Sequence, residues 1–121
     1  MNYDSTTMIR SSASEGVSFT IARMTFGRRI ELMRRVRQLT ARIEFEKAGA
    51  QVGDKIEASL LSAEIDELYL RWGLVSIDGL TLDGEPANVD TLIASAPENL
   101  CREILGAIKR ECALTEEERK N

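Results

Sequence analysis

The chain of 121 residues has the length of one ordinary domain, carries a net charge of −4 and contains no histidine. That absence removes the commonest general base, the commonest metal ligand and every histidine-dependent nucleophilic triad. An aromatic content of 5% argues against an aromatic-lined pocket or a base-stacking platform, and no apolar run approaches the roughly 18–20 residues that a bilayer span needs.

Residues 1–16 hold Ser5, Ser11, Ser12 and Ser14 with Thr6 and Thr7 among few apolar side chains. This composition reads as a flexible Ser/Thr-rich arm, with residues 17–121 forming a single helical domain. The arm has no hydrophobic segment of the kind a secretory signal carries, so the expected location is the cytoplasm. Val17, Phe19 and Ile21 then alternate with Ser18, Thr20 and Ala22, the pattern of one extended strand or of an apolar lead-in.

A first helix is predicted over 25–48, with Thr25 as N-cap and Gly49 as its stop. Phe26, Ile30, Met33 and Val36, joined by Leu32, Leu39, Thr40 and Ile43, make one apolar face at steps of three and four residues. Arg28, Arg34, Arg35 and Arg42 fall largely on the opposite side. A second helix is predicted over 54–72, opened by Asp54 and Glu57 in a capping-box spacing and ended by Gly73. Its apolar side is Ala58, Leu61, Ile65, Leu68 and Trp72, and Glu64, Asp66 and Glu67 leave the rest acidic.

Over 74–83 apolar residues alternate around Asp78-Gly79, and a second Asp-Gly follows at Asp83-Gly84. The first pair is the stronger signal for a two-residue hairpin. Asp90 or Thr91 opens a short helical turn. Pro97 occupies the first turn of a third helix, predicted over 97–112 with Leu100, Ile104, Ala107, Ile108 and Cys112 on its apolar face. Thr115 with Glu118 spells one more capping box, followed by too few residues for a stable helix on its own. The fold class is therefore mainly α: three or more amphipathic helices with a small β-hairpin or turn element between the second and third. Ile65, Leu68, Trp72, Ile104 and Ile108 are its expected core.

Sites of chemistry are scarce. Asp66, Asp78, Asp83, Glu85 and Asp90 form a loose acidic series without the oxygen-ligand spacing of a calcium loop, so no metal is expected. Gly79 and Gly84 belong to turns, no phosphate loop or dinucleotide fingerprint is present, and no cofactor is expected. Cys101 and Cys112, eleven residues apart on one helix and so separated by roughly 16 Å of rise, are not a disulfide pair and read as small buried hydrophobes.

Charge is the strongest asymmetry. Residues 23–47 carry eight basic against three acidic side chains, a net +5, whereas residues 48–121 carry seven against fifteen, a net −8. The candidate partner-binding residues are accordingly Arg28, Arg34, Arg35, Arg37 and Arg42. Three readings stand: a solvated face paired with nearby glutamates such as Glu31, a face for an acidic protein partner, and phosphate neutralisation. The last is disfavoured by the absence of a helix-turn-helix or other named nucleic-acid module and by a pI near 5.

An Arg-rich helix is followed by a second helix ending Arg71-Trp72-Gly73-Leu74, then by Ile77-Asp78-Gly79-Leu80. A Pro97-Glu98-x-Leu100 helix comes next, then the closing Leu114-Thr115-x-Glu117-Glu118-Arg119-Lys120-Asn121. Over residues 17–121 this order resembles the tail assembly chaperones of long-tailed bacteriophages and their prophage remnants. The resemblance implies a small helical, non-enzymatic protein of the host cytoplasm that coats the tape measure protein while tail tube protein assembles around it, with homo-oligomer formation as a further expectation. It also implies a longer frameshift product, and Arg119-Lys120-Asn121 can be encoded by a slippery string: a codon ending in A, then AAA, then AAC or AAT. No individual residue role transfers from it. The alternatives are a helical nucleic-acid-binding module using the Arg-rich helix and a minor structural protein of the tail.

Overall fold

The computed structural model describes the backbone of residues 1–47 and 54–120 and the side chains of residues 1–45 and 57–113. The elements run β1 (Thr6–Arg10), β2 (Ser18–Ala22), α1 (Phe26–Lys47), α2 (Asp54–Gly73), β3 (Leu74–Asp78), β4 (Thr81–Leu82), β5 (Glu85–Pro86), α3 (Val89–Ser95) and α4 (Glu98–Lys120). The chain is mainly helical with small antiparallel sheets.

The first correction concerns the arm. Residues 6–10 are strand β1, paired antiparallel with β2 in a three-stranded sheet of order β1-β2-β3. Pleat alternation puts Ile9, Phe19 and Ile77 in one row across the three strands, facing the core, and Met8, Thr20 and Ser76 in the neighbouring row on the outer face. Val17, Phe19 and Ile21 are buried, so their alternation marks a central strand.

The serines are ordered because they have partners. Ser11 Oγ accepts from the backbone N–H groups of Ala13 (3.1 Å) and Ser14 (2.9 Å), a local turn of the kind serine favours, and Gly16 closes it at φ 79°. From α4, the Glu103 carboxylate accepts from the hydroxyls of Ser11 (2.5 Å) and Ser12 (2.6 Å) and from Ser12 N–H (2.7 Å). Burial pushes this carboxyl up, but the donors outweigh it and hold its pKa at about 2. A depressed pKa contributes stability above the ordinary carboxylate value, and this contribution is lost as pH falls through about 2. Glu103→Gln is expected to lower the urea midpoint at neutral pH and to flatten its decline between about pH 4.5 and 2. A decline as steep as the parent's would mean that the loop is held by something else.

The second correction concerns the turns. Asp78-Gly79 does not close a hairpin, because β3 pairs with β2 and not with β4. Gly79 (φ 80°) lies so near the Gly16 carbonyl that a Cβ there would collide with it, which ties the end of β3 to the β1–β2 loop. The two-residue hairpin is instead at Asp83-Gly84, between β4 and β5, where φ values of 52° and 84° are those of a type I′ turn. Thus β1 and the pairing of β3 with β2 separate the fold from a hairpin set simply between two helices, and α3 is the short helical turn expected near Asp90.

Helix ends follow capping chemistry. Thr25 Oγ1 accepts from Arg28 N–H (3.2 Å), as expected of the N-cap. Asn88, not Asp90 or Thr91, caps α3, with Thr91 completing a reciprocal box. Pro97 directly precedes α4 and its carbonyl accepts from Leu100 and Cys101. The α4 backbone continues to Lys120 through Thr115, so Thr115 opens no new helix. The Gly49 stop, the end at Asn121 and the side chain of Asp54, on which its capping role depends, lie outside the described residues.

Between the sheet and α2 runs α4, contributing Leu100, Ile104 and Ile108, all fully buried. They meet Phe19 and Ile21 from β2 and Leu92 from α3 in one cluster that also takes in Leu70 and Trp72 of α2. Gly73 lets α2 close on α4, since a Cβ there would stand 2.6 Å from an Ile108 methyl. Trp72, Ile104 and Ile108 are buried as expected, but Ile65 and Leu68 are only half-buried, because the outer turns of α2 extend past the body.

Candidate interaction surface on the first helix

Most of α1 stands clear of the core. Its main neighbour is α2, antiparallel to it, and among its described side chains only Leu32 is buried. Much of the face read as apolar does not meet the body: Phe26 is 79% exposed, Met33 63% and Val36 38%, with Ile30 half-buried beside them, and Leu32 alone of that face is buried. Further along, Phe45 is also exposed.

The reason lies in the opposite face. Arg28, Arg35 and Arg42 recur every seven residues, two turns of helix, and this is the side that faces α2. The Arg28 guanidinium stacks on the Trp72 ring at 4.7 Å and donates to the Trp72 carbonyl, while Trp72 Nε1 donates back to the Arg28 carbonyl at 3.1 Å. Glu31 sits between Arg28 and Arg35, 2.9 Å from each. Arg42 pairs with Glu64 of α2. Arginine stems and a planar guanidinium cover apolar surface as well as carry charge, so this side serves as the inner face of the hairpin.

The five candidate arginines therefore divide. Arg28, Arg35 and Arg42 are engaged within the chain, whereas Arg34 and Arg37 are exposed and point away from α2. The structure does not bring all five into one binding patch. Sequence reasoning grouped Phe26, Met33 and Val36 with Leu32, Leu39 and Ile43 as one apolar face; the structure buries Leu32, half-buries Leu39 and Ile43, and leaves the first three in solvent. The signal for the true arrangement was the heptad of arginines set against a helix bearing Trp72 and Glu64.

Two grooves adjoin the helices. One, of about 550 Å³ between α1 and α2, is lined by Leu39 and Leu68 with Arg35, Arg42, Glu64 and Arg71. Its arginines are held by carboxylates of the same chain, Arg35 by Glu31, Arg42 by Glu64, and Arg71 by Glu67 (3.1 Å) and Asp90 (2.5 Å). The other, of about 370 Å³ between α2 and α4, is lined by Leu70, Ile93, Cys101 and Leu105. Cys101 and Cys112 are half-buried, and neither is in a disulfide. Burial, and then Glu98, push the Cys101 thiol up and keep it protonated, which makes it a poor nucleophile. Among the described residues no cluster of three or more carboxylates and cysteines is placed to hold a metal ion, and no helix is long and apolar enough to cross a membrane. What the surface offers is an apolar stripe along α1 with cationic neighbours. No family model, curated protein or solved structure matches this chain.

Proposed function

We propose that the chain is a non-enzymatic assembly chaperone, as its resemblance to phage tail assembly chaperones implies, and that it covers apolar helical surface of a tape measure protein while tail tube protein assembles around it. The observation that carries this reading is the solvent-facing stripe Phe26, Met33 and Val36 on a helix that the body barely buries. A contiguous exposed apolar face of this kind marks an interaction surface, and laying one helix face along another is a standard recognition mode.

Magnitudes favour a repeated, reversible contact. Complete burial of a large apolar side chain is worth about 1.5–3 kcal/mol, and association consumes much of what three such residues contribute. One copy thus binds weakly, and many copies along a long partner gain from multivalency. Weak single contacts suit a coat that must leave when tube subunits arrive.

The test is co-expression with helical segments of a tape measure protein encoded beside this chain. The segments are expected to stay soluble and to co-purify with the chain, and Met33→Asp is expected to release them without lowering the thermal midpoint, because Met33 is exposed. Co-purification that ignores Met33→Asp, or none at all, would overturn the proposal. A nucleic-acid reading would have to rest on Arg34 and Arg37, since Trp72, Glu31 and Glu64 occupy the other three arginines.

A further inference from the structure

We infer that the α1 stripe accepts one particular occupant: an amphipathic helix of another protein that carries carboxylates beside its apolar seam. This rests on the reading of the stripe as a docking face and adds the chemistry of what docks there.

The first support is the state of α1 itself. It is 22 residues long, yet Leu32 is the one buried side chain among those described. Helices in proteins draw most of their stability from packing an apolar face. Here that face is open, and α1 is held by the Thr25 cap, by Arg28 on Trp72 and by Arg42 on Glu64. A helix added along Phe26, Ile30, Met33 and Val36 would supply the missing packing.

The second support is the sign of the flank. Arg34 lies one turn beyond Ile30, and Arg37 one turn beyond Met33, both exposed. From Phe26 to Ile43 the only acidic residue is Glu31, and it is held by Arg28 and Arg35 on the side toward α2. Over the roughly three turns from Phe26 to Val36, Arg34 therefore flanks the stripe and Arg37 continues it at its far end, with no acidic residue of α1 on that side. An approaching helix with carboxylates beside its seam gains two ion pairs, whereas one with lysines there meets repulsion.

A second copy of this chain fits poorly. Packing α1 on α1 would set Arg34 and Arg37 of each copy against a seam of the same sign. The acidic helices offer no ready alternative, since Glu64, Asp66, Glu67 and Glu98 are held by Arg42, Lys109, Arg71 and Arg102 of their own chain.

The experiment uses the full chain and two synthetic helical peptides of about three heptads. They share a leucine seam and differ only in glutamate or lysine at the flanks. By fluorescence anisotropy at low salt, the glutamate peptide is expected to bind at least about tenfold more tightly, the size two rim charges reversed from attraction to repulsion would give. The preference should shrink with added salt, reverse in Arg34→Glu/Arg37→Glu, and vanish with all binding in Met33→Asp. Circular dichroism confirms that both variants remain folded. Equal binding of the two peptides would overturn the charge selection while leaving the coating function intact. Binding of neither peptide, with tape measure segments still captured through Met33, would overturn this occupant alone. Binding of neither peptide and no segment would remove both. A dimer in sedimentation that Met33→Asp dissociates would assign the stripe to a second copy and overturn the inference.

Discussion

Phe19→Ala is expected to lower the unfolding free energy by about 3–5 kcal/mol, a large part of the roughly 5–15 kcal/mol that a domain has. Phe19 is fully buried at the centre of the three-stranded sheet, between Ile9 and Ile77, on the side that packs against α4. Its surroundings cannot close over the space left behind. Hydrogen bonds fix the strands on either side, and Ile104 and Ile108 are themselves locked in a dense cluster. The cost therefore combines lost transfer free energy with a retained cavity. Met8→Ala, on the outer face of the same sheet at 63% exposure, is the control and should change stability by no more than about 0.5 kcal/mol. Urea unfolding with an unchanged slope gives both values. A Phe19→Ala cost below about 1 kcal/mol would mean that the sheet does not rest on α4.

The same residue shows what sequence carries and what it does not. The alternation around Phe19 was legible as a strand or an apolar lead-in, and its partners were not legible at all. β3 lies more than fifty residues downstream, beyond two helices, and β1 was hidden in a Ser/Thr-rich stretch. Periodicity reports on local structure, whereas pairing of strands far apart in sequence depends on the assembled body. Composition misled for a physical reason as well. Serines without partners favour disorder, but Ser11 and Ser12 close a turn and grip Glu103, a residue ninety positions away that no local pattern connects to them. The helices were readable because caps and apolar spacing are local, and the spans of the three long helices agree closely with expectation apart from the far end of α4.

The candidate site was half legible. Sequence showed α1 to be amphipathic but drew its faces only in part: Leu32, grouped with Phe26 and Met33, is buried, and Arg34, grouped with Arg28, Arg35 and Arg42, is exposed. Amphipathicity tells which residues share a face but not which face meets the protein. A face of arginines counts as polar in any hydropathy scheme, yet Arg28 lies over an indole and Arg35 and Arg42 are matched by glutamates, so that face turned inward. The consequence is that Phe26, Met33 and Val36 stand in solvent, where the proposed partner would meet them.

Trp72→Ala is expected to cost about 3–5 kcal/mol, and its effect should fall unevenly on the fold. Trp72 is buried at the last turn of α2 and packs edge-on against Tyr69. It also takes the Arg28 guanidinium on its ring and joins α1 by hydrogen bonds in both directions. The other described attachment of α1 to α2 by charge is the Arg42–Glu64 pair, which is more exposed and therefore weaker. Removal of the indole deletes core packing and the main anchor of α1 together. Hydrogen exchange should then show the α1 amides losing protection to a greater extent than those of α4 near Ile104, because local opening of α1 no longer has to break the Trp72 contacts. Trp72→Phe separates the two roles. It keeps most of the ring packing but loses the Nε1 donor, leaving the Arg28 carbonyl without that partner, a cost of about 1–3 kcal/mol. If Trp72→Ala instead lowers protection equally in α1 and α4, the two helices open as one unit. The exposed stripe would then belong to a rigid body rather than to a hairpin arm that a partner helix can seize and stabilise.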